Sequence, residues 1–100
     1  MNGQKLLVRG AIMRGEIWRG MLILDRDGLV AGVVAAVALD GASQTVSHIL
    51  LGQLPPTAVY RLVPITLIDH IAGEHLWLQV TQTHIEALPI HKPDDSEETR

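Results

Sequence analysis

The sequence predicts a small all-β domain, an antiparallel barrel that ends in a short C-terminal helical turn. Short apolar runs alternate with Gly, Asp and Pro turn signals at roughly 8–12-residue spacing, as in small barrels and sandwiches. The segment Leu29–Leu39 is rich in valine and has turn residues at both ends, which favours a strand. The chain has 100 residues, of which 47% are hydrophobic, and this is enough for one domain with one modest core.

We expect three regions along the chain. Residues 1–19 form an N-terminal segment with one or two short strands, in which Arg-Gly dipeptides recur every five residues. Residues 20–90 form the barrel. Residues 91–100 form a charged tail, which is predicted to be disordered because it is highly charged and has little apolar content to bury.

The barrel begins with the apolar run Met21–Leu24, followed by the turn Asp25-Arg26-Asp27-Gly28. Asp favours the first corner of such a turn, and Gly28 tolerates a positive φ. The D-x-D-G spacing resembles the start of a calcium loop. However, the glycine comes too early and Ala36 stands where the bidentate Glu would be needed, so the segment is predicted to be a hairpin turn.

The strand Leu29–Leu39 is apolar on both faces. Strict alternation places Leu29, Ala31, Val33, Ala35, Val37 and Leu39 on one face, and Val30, Gly32, Val34, Ala36 and Ala38 on the other. A domain of this size has one core, so the second apolar face is predicted to contact a second subunit or another protein. Gly32 suggests a bulge or a sharp bend. A buried helix is the competing interpretation, because alanine also favours helix.

Four further strands follow, and a tight turn at Ala72-Gly73-Glu74 joins the last two of them. Leu76 and Leu78 are expected to face the core, with Trp77 on the opposite side. Thr81 is the expected N-cap of the helical turn, which Pro89 ends. The four strands are Thr45–Leu51, Val59–Val63, Ile65–Ile71 and His75–Val80.

Composition argues against several functional classes. Cysteine is absent, and the longest uninterrupted apolar stretch, Gly28–Leu39, is 12 residues, against roughly 20 needed for a membrane-spanning helix. The first residues lack the pattern of a signal peptide, so we expect a cytoplasmic protein without membrane insertion. The pI of about 5.9 and the small number of aromatic residues argue against a nucleic-acid-binding domain.

The residues form no recognisable catalytic constellation, so we expect no enzyme activity and no cofactor. None of the serines lies in a G-x-S-x-G motif, and no phosphate-binding glycine loop occurs. The one arrangement that suggests a metal site is His70 with Glu74 and His75 around the Gly73 turn, close to Asp69. Its spacing matches no zinc motif, so these residues are weak metal candidates, and a solvated hairpin rim is the alternative.

Two stretches resemble the PRC-barrel domain family, GMLILDRDGLVAGVVAAVALD and YRLVPITLIDHIAGEHLWL. The family includes the cytoplasmic domain of the photosynthetic reaction-centre H subunit, the C-terminal domain of ribosome-maturation factors and many small free-standing proteins. The resemblance implies a small β-barrel that acts by protein–protein contact without catalysis. It also implies that Val33, Ala35 and Ala36 occupy positions that are usually charged in the family and point outward.

These observations predict an interaction or scaffold module that self-associates as a homodimer, with another protein as the alternative partner. The interface candidates are Leu29, Ala31, Val33, Ala35 and Trp77. Trp77 is either an interface anchor or packed under the N-terminal segment. A second hypothesis is a ribosome- or RNA-associated factor that uses Arg9, Arg14 and Arg19 as a basic arm. A third is metal binding at the His70/His75 hairpin.

Overall fold

The computed structural model describes residues 12–13, 16–40, 45–55, 57 and 59–91. Within this part of the chain one sheet, a short helix and a 3₁₀ turn account for the regular structure, which confirms the all-β class. The strands are β1 (Ile12–Met13), β2 (Leu22–Leu24), β3 (Val30–Leu39), β4 (Thr45–Gly52), β5 (Tyr60–Pro64), β6 (Ile68–Ala72), β7 (His75–Leu78) and β8 (Ile90–His91). The helix α1 is Gln82–Glu86, and the 3₁₀ turn is Ile65–Leu67.

The strands follow the order β6-β7-β2-β3-β4-β5-β8 in the sheet, and β1 pairs with β4 beside this path. Every pair is antiparallel except β2 with β7, which run parallel. The prediction of a purely antiparallel sheet is therefore wrong at this one junction. Parallel partners need a long connection, and here the connection consists of all the strands from β3 to β6. Closure of the sheet into a barrel stays a prediction.

The core lies on one side of this sheet. Directly paired residues share a face, so Ile23 with Leu76, Val34 with Leu51, and Ile49 with Val63 form inward cross-strand pairs. Fully burying one such side chain stabilises the fold by about 1.5–3 kcal/mol. The core cluster is Ile17, Met21, Ile23, Val34, Val46, Ile49, Leu51, Val63, Ile68, Leu76, Leu78 and Ile85.

The segment Leu29–Leu39 is a strand over nearly its whole length, as predicted, and the alternative of a buried helix is wrong. Strict alternation, however, fails at two bulges. Ala31 has no partner between the pairs Leu24↔Val30 and Ile23↔Gly32, and Ala35 has none between Val34↔Leu51 and Ala36↔Leu50. Each extra residue reverses the facing of those that follow.

The predicted single face of odd-numbered residues is therefore divided. Ala31 and Val37 pack against the core. Val33 and Ala35 lie on the opposite side of the sheet, because Val33 adjoins the buried Gly32 and Val34. Ala31, one of the interface candidates, is partly buried and packs against the core.

The C-terminal helical turn forms where it was predicted, with Ile85 buried in the core. Thr81 occupies the N-cap position, but its side chain makes no capping hydrogen bond; its carbonyl accepts the Ile85 N–H at 3.1 Å. The chain then adds β8, an unpredicted strand that pairs with β5 and carries the sheet to His91, one residue past the predicted boundary. The rest of the predicted tail lies outside the described residues. No helix in the described part of the chain is long and apolar enough to cross a bilayer.

Gly32 allows β3 and β4 to approach closely. A Cβ at this position would overlap the Gly52 carbonyl oxygen and come within 2.8 Å of the Leu51 Cδ2. Both neighbours belong to β4, and one of them is backbone, which cannot move aside without disturbing the β3–β4 pairing. The bulge predicted at Gly32 lies at the adjacent Ala31, and Gly32 itself is required by the close approach of β4.

We expect Gly32→Ala to lower the free energy of unfolding by about 1–3 kcal/mol, because the added methyl group overpacks the β3–β4 contact. Urea unfolding followed by circular dichroism measures the change. Gly52→Ala is the matched control, since its Cβ would lie 3.4 Å from the Tyr60 ring and 3.5 Å from the Ala35 Cβ, which are ordinary contacts. Equal losses in the two variants would contradict this explanation of Gly32.

Candidate functional site

The side of the sheet opposite the core carries a continuous apolar surface. Ile49 and Val63 face the core, so their neighbours Leu50 and Leu62, which pair with each other, face outward. We call the outward residues of β2 to β5 the outer face. Its central members are Leu22, Val33, Ala35, Ala36, Leu50, Gly52, Tyr60 and Leu62.

The outer face carries no formal charge at its centre. None of its eight central residues is Asp, Glu, Lys or Arg. The next outward row, Ala38 with His48 and Pro64, is also free of these residue types. The small residues lie together, because the outward side of Gly52 is bordered by Ala35 and the Tyr60 ring. A flat patch of Ala and Gly flanked by larger apolar side chains allows close approach of another surface.

The structure brings only part of the predicted interface together. Val33 and Ala35 lie on the outer face. Trp77 lies on its continuation, since it pairs with Leu24, which in turn pairs with Val30. Leu24 is 7% exposed yet lies outside the core cluster. Leu29 is 61% exposed at the end of the turn before β3.

Trp77 is half-buried and stacks on His70, its partner across the β6–β7 hairpin. The two ring centroids are 5.4 Å apart and the planes differ by 12°. Nδ1 of His70 lies 2.8 Å from Oδ2 of Asp69, and it carries the proton because a carboxylate only accepts. The Cη2 and Cζ3 atoms of the Trp77 ring also adjoin Gly28. The alternative in which Trp77 packs under the N-terminal segment concerns residues that are largely outside the described part of the chain.

The metal hypothesis gains no support from the hairpin. His70 is paired with Trp77, and His75 with Ala72, while Glu74 is exposed in the turn. Among the described residues, no group of three His, Cys, Asp or Glu side chains could hold a metal ion. The polar side-chain contact described at this hairpin is the Asp69–His70 pair.

The basic-arm hypothesis is only partly covered by the structure. Arg9 and Arg14 lie outside the described residues. Arg19 is exposed, and its Nε–H donates to the Ala35 carbonyl at 3.3 Å. This bond places a cation against the backbone of Ala35, one of the central residues of the outer face.

A serine and a histidine are adjacent on β4, but they do not form a nucleophile and its base. The Ser47 hydroxyl donates its one proton to the Ala38 carbonyl at 3.2 Å. Nδ1 of His48 lies 3.1 Å from Oγ of Ser47 and acts as the donor, because the hydroxyl proton is already used in the bond to Ala38. A base that activates serine must accept the hydroxyl proton, whereas here the histidine donates a proton to the serine oxygen.

A polar cleft of about 390 Å³ opens beside the β6–β7 hairpin, and sequence analysis did not predict it. Its lining includes Arg26, Asp69, Trp77 and Gln79. Arg26 belongs to the turn before β3, and Asp69 is the unpaired residue between the pairs Ile68↔Leu78 and His70↔Trp77. These residues meet because β2 and β7 run side by side, a pairing with no local signal in the sequence.

The Asp25 carboxylate holds the turn that presents Arg26. Its Oδ1 accepts the backbone N–H groups of Asp27 at 2.8 Å and of Leu29 at 2.9 Å. The side chain is 1% exposed, so both bonds are shielded from water. The backbone of Arg26 is held as well, because its N–H donates to the Val80 carbonyl at 2.9 Å. The predicted hairpin turn is confirmed, and Gly28 has the expected positive φ of 85°.

No family model matches the chain, and no curated protein matches it either. The assignment of a function therefore depends on the geometry of the described residues.

We expect Asp25→Ala to lower the free energy of unfolding by about 1–3 kcal/mol, because two backbone donors lose a buried acceptor. Asp25→Asn retains one side-chain oxygen and should lose less. Thermal unfolding measures both variants, with Asp27→Ala as the control, since the Asp27 side chain is exposed in the same turn. A loss in Asp27→Ala equal to that in Asp25→Ala would contradict the role of the Asp25 carboxylate.

Proposed function

We propose that this protein is a non-catalytic interaction module that self-associates through the outer face. The observation that carries the proposal is the uncharged apolar surface that runs across β2, β3, β4 and β5 on the side away from the core. Its central residues are half-buried, except for the exposed Ala36 and the buried Gly52. Contiguous apolar patches that remain partly accessible are typical of protein–protein contact sites.

A second copy of the chain is the occupant that this surface fits best. The chain has a net charge of −3, so two copies repel each other unless they meet through a neutral region. The outer face is such a region, because its central residues carry no charge. Two copies related by a two-fold axis would present the same patch to each other, and this is the usual symmetry of soluble homo-oligomers.

The composition of the outer face is suited to close packing. Ala35, Ala36 and Gly52 leave a shallow surface at the centre, and Leu50, Leu62 and Tyr60 border it. Apolar and aromatic residues with few charges are typical of the buried centre of an interface. Tyr60 adds a hydroxyl group that can remain hydrated at the rim.

The resemblance to PRC-barrel domains supports the same proposal. In that family the barrel acts by contact with other proteins, and Val33, Ala35 and Ala36 correspond to outward positions. The two bulges of β3 give these three residues an outward position in this chain as well. Another protein with a complementary apolar surface is the alternative partner.

We expect the wild-type chain to have the mass of a dimer by light scattering at low micromolar concentration, and Ala36→Asp to have the mass of a monomer. Ala36 is exposed in the single chain, so the aspartate is hydrated there and the fold is retained. In the dimer the same charge would be desolvated without a partner, which disfavours association strongly. Val33→Asp places the same charge at the neighbouring cross-strand pair, Val33 with Gly52, and should have the same effect on the mass.

Thr83→Asp is the control for the added charge, because Thr83 is exposed on α1, on a different part of the surface. It should leave the mass unchanged. Unchanged dimers in both Ala36→Asp and Val33→Asp, with circular dichroism like that of the wild type, would show that the outer face is not the contact. A monomeric wild type would refute self-association.

A further inference from the structure

The geometry points to the cleft beside the β6–β7 hairpin as a binding site for a free α-amino acid, whose carboxylate meets Arg26 and whose ammonium group meets Asp69. None of the eight central residues of the outer face lines this cleft, although Trp77 lies on the continuation of that face. The cleft volume of about 390 Å³ lies at the lower end of the range for small-molecule sites. Its lining is mainly polar, which suits a small charged ligand better than an apolar one.

The two charged groups of the cleft are not neutralised by each other. Asp69 pairs with His70, with 2.8 Å between Oδ2 and Nδ1, and not with Arg26. The planar guanidinium of Arg26 can donate two parallel hydrogen bonds to a carboxylate, which an ammonium group cannot do. A ligand that carries one positive and one negative group can therefore satisfy both residues at once.

Gln79 supplies a further acceptor with a fixed direction. Its side-chain nitrogen donates to the carbonyl oxygens of Thr66 and Ile68, both at 3.1 Å. Both amide protons are used in this way, so the remaining function of the group in the cleft is its oxygen, which only accepts. With the Asp69 carboxylate, the cleft therefore has two acceptors for an ammonium group.

Trp77 provides the remaining wall. The stack on His70 and the contact with Gly28 hold the indole in place, so it forms a fixed apolar surface. An aliphatic side chain can pack on this surface, and the ring also favours a nearby cation. The hydrogen bonds of Asp25 hold the backbone of the turn that carries Arg26.

The test is a titration of the full chain with L-leucine, followed by the NMR signals of the Gln79 side-chain amide and the Trp77 indole N–H. Two analogues test the two charged groups of the ligand one at a time, because isopentylamine lacks the carboxylate and 4-methylpentanoate lacks the amine. We expect leucine to shift both signals and each analogue to bind at least about tenfold more weakly, as expected for the loss of one charged hydrogen-bonded contact.

Arg26→Gln and Asp69→Asn should each weaken leucine binding by about tenfold, and Arg26→Gln should leave the affinity for isopentylamine unchanged. Glu86→Gln is the control, because Glu86 is exposed on α1. Absence of a shift at Gln79 and Trp77 up to millimolar leucine would overturn the proposal. Equal binding of leucine and either analogue, or an effect of Glu86→Gln as large as that of Arg26→Gln, would also overturn it.

Discussion

The close approach of β3 and β4 at Gly32 is the constraint on which the rest of the structure depends. β3 is the strand that joins the two halves of the sheet, with β6, β7 and β2 on one side and β4, β5 and β8 on the other. A side chain at Gly32 would meet the Gly52 carbonyl and force the halves apart. Because Gly32 lacks a Cβ, Val34 pairs with Leu51 and the core continues across the junction.

The two bulges on either side of this contact determine which residues face outward. The Ala31 bulge turns Ala31 toward the core, and the Ala35 bulge places both Ala35 and Ala36 outside. A regular strand would instead bury every second residue of Leu29–Leu39 and expose the others. The outer face is therefore a product of two local irregularities as well as of composition, and its small residues are grouped at one point.

The sequence predicted the features that depend on local chemistry. The turn at Asp25, the tight hairpin at Gly73 and the strand nature of Leu29–Leu39 depend on residues close together in the chain. The burial of Leu76 and Leu78 with Trp77 on the other side follows from simple alternation in an unbulged strand. The alternation argument failed in β3 because it assumes an unbroken register.

Features that depend on distant pairings could not be predicted from local patterns. The parallel contact of β2 with β7 joins segments separated by about half of the chain. Together with the backbone bond from Arg26 to Val80, it brings Arg26 next to Asp69 and Gln79. In the sequence alone, Arg26 is a turn residue and Asp69 is a neighbour of the candidate metal ligand His70. The sequence likewise indicates that Leu50 and Leu62 are strand residues. That they face the same side of the sheet depends on the β4–β5 register.

The most direct test of the outer face as the contact between copies uses single spin labels. The chain has no cysteine, so Ala36→Cys and Glu86→Cys each provide one labelling site, at the centre of the outer face and on α1. We predict strong dipolar coupling between the two copies of the Ala36 label, weak coupling for the Glu86 label, and loss of both on dilution with unlabelled protein. Strong coupling at Glu86 with none at Ala36 would place the contact elsewhere, and no coupling at either position would show that the copies do not meet through this face.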